Sequence, residues 1–140
     1  MNALAKVILD TNVFISALIS QGNCRKILEK WNEEKFGLYV IDEILGEIKK
    51  VGERQAFRTY FSFNQLNTLL RFLKEKAIVV KSKKPIHKKF LPTDPNDQIF
   101  VAGILASKAD YFVTGNPKHF PKKIRKTKIV LAKELLTFFD

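Results

Sequence analysis

Cysteine occurs once in the 140 residues, at Cys24, so neither an internal disulfide framework nor a cysteine metal cluster can form within the chain. Long apolar runs are missing as well: none reaches the roughly 18 residues of a membrane span. The N-terminus lacks the basic region, apolar core and small-residue cleavage site of a secretory signal. There is no Gly-rich phosphate loop, no zinc-finger spacing, no RNA-recognition consensus, no internal repeat and no linker-like stretch. Together these absences point to a cytoplasmic protein with no membrane association. A hydrophobic share of 46% and a charged share of 28% mark a globular chain rather than a disordered one. The length suits one full core better than two, so residues 1–140 read as a single domain.

Negative charge is scarce, and unevenly so. Residues 1–70 carry 9 Lys and Arg against 8 Asp and Glu, whereas residues 71–140 carry 16 against 6, so almost all of the net charge of +11 sits in the second half. Two clusters dominate it: Lys81 to Lys89, with Lys83, Lys84, Lys88 and Lys89, and Lys118 to Lys128, with Lys118, Lys122, Lys123 and Arg125. Such a field attracts polyanions and speeds their encounter, which makes nucleic acid the expected partner, although a basic surface also serves solubility.

A strand over about Leu4–Leu9 opens the chain, and Thr11 or Asn12 can cap a helix running to Ile19. Cys24 to Phe36 has helical period with Ile27, Leu28 and Trp31 on one face, and Leu38–Ile41 reads as a buried strand. Asp42 is placed to cap a helix striped by Ile44, Leu45, Ile48 and Val51. Helical patterns over Gln55–Phe61 and Phe63–Lys76 could form a protruding hairpin before a third strand at Ala77–Val80. Lys81 to Pro92 reads as the longest loop. Asp94-Pro95-Asn96-Asp97 opens an almost wholly apolar helix, with an acid at the cap, Pro at the first helical position and a second acid at the third. Strands at Tyr111–Thr114 and Lys128–Leu131 follow, with a closing helix over Ala132–Phe139. Alternating strands and helices predict an α/β fold, a three-layer sandwich with a mostly parallel central sheet of about five strands.

In Val7-Ile8-Leu9-Asp10-Thr11-Asn12-Val13-Phe14 an apolar strand stops at an acid and a helix begins, which sets Asp10 where open α/β sheets hold ligands. Asp97 and Asn116 fall at comparable positions. Carboxylates gathered in a half-buried cleft raise one another's pKa unless a cation lies among them, and a donor set of hard oxygens without His or Cys selects Mg²⁺ or Mn²⁺ over zinc. Plainer roles compete. Asp10 could begin a turn, Asp94 could be only a helix cap, Asp97 could complete a capping box, and Asn116 between Gly and Pro suits a turn. Glu47 sits beside the Ile44/Val51 edge of its stripe, at the rim of the core, and could equally pair with Lys50 on the surface. Thr11, Asn12 and Thr114 could orient carboxylates or serve as ordinary cap and strand residues.

The segments Val7–Leu18, Asp42-Glu43-Ile44-Leu45-Gly46-Glu47-Ile48, Asp94-Pro95-Asn96-Asp97 and Ala109–Asn116, in this order and spacing, resemble the PIN domain over essentially the whole chain, and most closely the small prokaryotic PIN proteins of type II toxin–antitoxin systems. The resemblance implies a Rossmann-like α/β/α sandwich and an acidic quartet that binds Mg²⁺ or Mn²⁺ for phosphodiester hydrolysis of RNA. By position the quartet falls on Asp10, Glu47, Asp97 and Asn116. The last is a departure, since the family usually has Asp there, and Asp94 is near enough in sequence to compensate. The implied activity is a metal-dependent endoribonuclease and toxin, with an antitoxin and a second copy of the chain as partners. The alternative is a catalytically weakened RNA-binding or regulatory module.

Overall fold

The computed structural model describes residues 4–82 and 86–139. Lys83 and Lys84 lie outside the described residues. Six strands form one sheet: β1 (Lys6–Leu9), β2 (Gly37–Val40), β3 (Ile78–Val79), β4 (Tyr111–Val113), β5 (Lys123–Ile124) and β6 (Thr127–Val130), in spatial order β3-β2-β1-β4-β6-β5. All neighbours run parallel except β5, which pairs antiparallel with β6. The sixth strand, absent from the sequence reading, comes from a tight hairpin in which Ile124 faces Thr127 across Arg125 and Lys126. Its turn carries none of the Asn, Asp or Gly residues that usually announce one.

Helices α1 (Thr11–Ile19), α2 (Asn23–Asn32), α3 (Asp42–Gly52), α4 (Phe63–Lys76), α5 (Gln98–Ser107) and α6 (Ala132–Leu136) fill the crossovers and the C-terminus. No helix of the described residues is long and apolar enough to cross a membrane. Strand β4 shows how the layers form, because successive strand side chains point to opposite faces. Tyr111 stacks on Phe138 at 5.0 Å on the face of α6, whereas Phe112 packs against Phe100 of α5 at 5.8 Å and Phe120 at 4.9 Å on the other. α5 lies close to the sheet at Gly103, where an added Cβ would stand 3.3 Å from both Ile8 of β1 and Ile44 of α3. Phe36 meets Phe139, and Trp31 of α2 meets Phe72 of α4. The result is a mixed α/β protein with a six-stranded, mostly parallel sheet between helical layers.

Several local expectations change. Helix α1 is capped by Asp10 itself, whose Oδ1 accepts from Asn12 N at 3.2 Å, and not by Thr11 or Asn12. Asp42 is the first residue of α3 rather than its cap. The stretch after α3 forms a 3₁₀ turn at Gln55–Thr59, and α4 packs back on α3 instead of protruding: Leu66, Leu69, Leu70 and Leu73 are all buried, and Gly52 leaves room for Leu66, whose Cδ1 would be 2.6 Å from a Cβ there. The 81–92 loop includes a short turn at Lys88–Phe90 that buries Phe90.

Candidate active site

The register Leu9↔Val113 between β1 and β4 sets Asp10 beside Thr114 where both strands end. Asp10 N donates to Val113 O at 2.9 Å, which fixes the backbone as the chain steps from β1 into α1. Asp10 is 7% exposed and Thr114 1%. Thr114 Oγ1 donates to Asp10 Oδ2 at 2.8 Å and accepts from Asn116 N at 3.1 Å, so one hydroxyl orients the carboxylate and ties down the loop after β4. Asp10 therefore takes one bond on each oxygen, one from the first turn of α1 and one from the residue that follows β4.

Around it lies a cleft of about 200 Å³ lined by Asp10, Thr11, Asn12, Glu47, Asp94, Asp97 and Asn116, together with Phe100, His119 and Phe120. Glu47 reaches it half-buried from α3, with no ion pair to Lys50 among the described residues. Asp94 caps the turn Pro95–Asp97 by accepting from Asn96 N at 2.9 Å, and still faces the cleft. Asp97, at the start of α5, makes no side-chain cap bond, so the capping-box reading of it does not hold. Its carboxyl is pushed above the usual range, chiefly by burial and then by the negative charges of Asp10, Asp94 and Glu47, with His119 acting in the opposite direction. Asn116 is exposed at the rim.

His119 escaped the sequence reading, as did Phe100 and Phe120. Pro117–His119 is a 3₁₀ turn closed by His119 N donating to Asn116 O at 3.0 Å, and both residues line the cleft. The Asn-Pro dipeptide was the available signal for such a turn.

Among the described residues, none of the predicted nucleic-acid cations lines the cleft. Lys118 and Lys122 border a hollow that shares Phe120 with it. Lys123 is exposed at the start of β5, and Lys88 and Lys89 are exposed on the turn before Leu91. Arg125 is at the opposite end of the sheet: Lys128 N bonds Asp110 O, so the hairpin turn lies beyond Asp110, roughly 13 Å along β4 from Thr114 at about 3.3 Å per residue.

A divalent cation can be tested against this donor set. Carboxylates that repel one another in a half-buried cleft, and the buried Thr11 Oγ1, which lacks any hydrogen-bond partner, both suit a hard cation with its water shell. Among the described residues no three or more His, Cys, Asp or Glu side chains are already arranged to hold a metal ion together. Mg²⁺ does not require such a set, because it keeps several waters and is commonly held by one or two carboxylates. The residues fit the group.

A family model described as PIN domain matches residues 6–118, from β1 through the turn that holds His119's neighbours. No curated protein matches the chain. With four-fifths of its length covered, the chain belongs to the PIN domain family, whose members are generally nucleases that use divalent metals.

Proposed function

We propose that this PIN-domain chain is a metal-dependent endoribonuclease, acting in the cytoplasm on RNA with Mg²⁺ or Mn²⁺. The observation that carries the reading is the acidic cleft itself, in which Asp10, Glu47, Asp94 and Asp97 face one volume at the carboxyl edge of the sheet. Asp10, Glu47 and Asp97 would hold the cation, with Asn116 and Asp94 in support. When bound there, such a cation would supply a water more acidic than bulk water and would offset charge on the phosphate oxygens.

The chain's own residues do the rest. Thr114 holds Asp10 in one rotamer, so its oxygens face the cleft without a reorganisation cost. The positive ends of α1 and α5 point at the same cleft and offset part of its negative charge. Asn116 contributes an amide oxygen without a charge, which favours a single strongly held cation. Lys118 and Lys122, beside the cleft, would meet backbone phosphates, and the further positive charge of the chain, from Lys83, Lys84, Lys88, Lys89, Lys123 and Arg125, would raise the local RNA concentration with little sequence choice.

The toxin role, with an antitoxin covering the cleft and a second copy of the chain as partners, is part of the same reading and rests on the family resemblance. Asn116 in place of an acid favours a second reading, an RNA-binding module without catalysis. Incubating a labelled RNA with Mg²⁺ or Mn²⁺ separates them. Cleavage abolished by EDTA and by Asp10→Ala supports the nuclease. Cleavage that survives either change refutes it, and salt-dependent binding without cleavage under any divalent ion supports the module.

A further inference from the structure

A second cavity, of about 590 Å³, lies apart from the acidic cleft. It is a groove at the other end of α5, floored by Phe90, Ile104 and Ile124 and rimmed by Lys108, Arg125 and Lys126, with His87 at its mouth. Among the described residues no acidic side chain lines it, although Lys126 pairs with Asp110 just outside at 3.2 Å. Two of these cations occupy positions where glycine would be conformationally easier. Lys108 (φ 55°) ends α5 in the left-handed region, and Arg125 (φ 51°) does so in the β5–β6 hairpin. A charge at the C-terminus of α5 gains something from the helix dipole, but Arg125 has no such compensation. Of the three non-glycine residues with positive φ among the described ones, two face this groove. Arg125 also lies over Phe90, 5.7 Å from its ring centre, with Lys89 at 5.0 Å.

The groove and the cleft are neighbours. Phe100 lines the cleft and Ile104 the groove, one turn apart on the same face of α5, or about 6 Å at 1.5 Å per residue. The stretches Phe90–Asp94 and Phe120–Arg125 likewise each have one end at the groove and the other at the cleft. A flexible polyanion lying across the acids therefore reaches the groove within a few of its units.

We propose that this groove binds a nucleotide of the same single-stranded RNA that crosses the acidic cleft. Its phosphate meets the Arg125 fork and Lys108, and its base lies on the apolar floor with His87 and the guanidinium plane available for stacking. The proposal rests on the nuclease reading of the cleft. The volume suits one nucleotide, and Lys108 and Arg125, which form no ion pair among the described residues, select an anion over a neutral apolar ligand, whereas Lys126 is already paired with Asp110.

Lys108→Gly combined with Arg125→Gly tests it, because glycine relaxes both backbone positions while removing both charges. Arg71→Ala with Lys74→Ala, on exposed positions of α4, removes the same charge elsewhere. Fluorescence anisotropy with labelled oligouridylate of eight nucleotides, in EDTA, is expected to show at least tenfold weaker binding for the glycine pair and less than threefold for the α4 pair. With Mg²⁺, the glycine pair should raise KM for the eight-mer at least threefold more than KM for a trinucleotide, which is too short to reach the groove from the acids. Equal loss in the two charge-removed pairs overturns the groove and leaves the nuclease standing. Wild-type binding without cleavage sinks the nuclease reading, while the eight-mer affinities still decide the groove. Lys108- and Arg125-dependent binding of a glutamate-rich peptide, with no such dependence for the eight-mer, identifies an acidic protein segment as occupant and refutes the proposal.

Discussion

Replacing Thr114 by valine is the most informative single change at the site. Valine keeps the shape and deletes one oxygen, which in the native protein donates to Asp10 Oδ2 at 2.8 Å and accepts from Asn116 N at 3.1 Å, at 1% exposure. A buried hydrogen bond to a charged group contributes about 1.5–3 kcal/mol, and an amide left without its acceptor costs about 1 kcal/mol more when water cannot replace it. Asn116 is exposed, so water recovers most of the second amount, and the expected loss is about 2–3 kcal/mol. For a domain of this size that lowers Tm by roughly 4–12 °C. Thermal unfolding in EDTA measures it, with Thr114→Ser as control, since serine keeps the hydroxyl and loses only a methyl at a cost of about 1 kcal/mol. The same variant should weaken Mg²⁺ affinity by about 10–100-fold, because the hydroxyl aims the carboxylate. A valine variant as stable as wild type, with serine the worse of the two, would show that Thr114 packs rather than orients.

Asp97→Asn should raise Tm in EDTA at neutral pH. Burial and its acidic neighbours raise the Asp97 pKa in the fold, so ionised Asp97 opposes folding above that pKa. The gap between wild type and variant should close as the pH falls through the folded-state value, and saturating Mg²⁺ should reverse the order of stability. A neutral-pH Tm in EDTA lower than wild type counts against the crowding argument. Asp110 behaves in the opposite sense. Burial alone would raise its pKa, but the bond from Lys6 N at 2.8 Å and the Lys126 ammonium at 3.2 Å hold it below the usual value. Its stabilisation is therefore complete above the unfolded carboxylate pKa and disappears as the pH falls through the folded one. Asp110→Ala should cost about 1–2 kcal/mol at pH 7, after discounting the exposed Lys126 pair, and progressively less as the pH falls into the acid range. A pH-independent difference in urea midpoints would refute that.

The strand–acid–helix step at Asp10 and the capping tetrad before α5 were legible because each is local: an apolar run, an acid, a proline, at fixed offsets. Cap assignment at Asp10 failed because the residue serves two ends, accepting from α1 and from β4, and only the tertiary register provides the second. The β5 strand was invisible since two residues carry no period and its turn uses Arg125 and Lys126. That omission had a further effect: Lys118 to Lys128 reads as one basic cluster, yet the strand carries Arg125 away from the acids while Lys118 and Lys122 stay beside them. His119 could not be weighed from spacing alone, since the tightness of the Pro117–His119 turn decides its direction.

The central claim is that Asp10 anchors a cation that makes this cleft a nuclease. Single-turnover cleavage of a uniformly labelled RNA by the wild-type chain and by Asp10→Asn, across a Mg²⁺ titration, addresses it directly. The account predicts wild-type cleavage that rises and saturates with Mg²⁺, and at least a thousandfold loss in Asp10→Asn with the fold intact by circular dichroism, of the order that removing a principal transition-state contact produces. Cleavage by Asp10→Asn within tenfold of wild type, or wild-type cleavage indifferent to Mg²⁺, would contradict it.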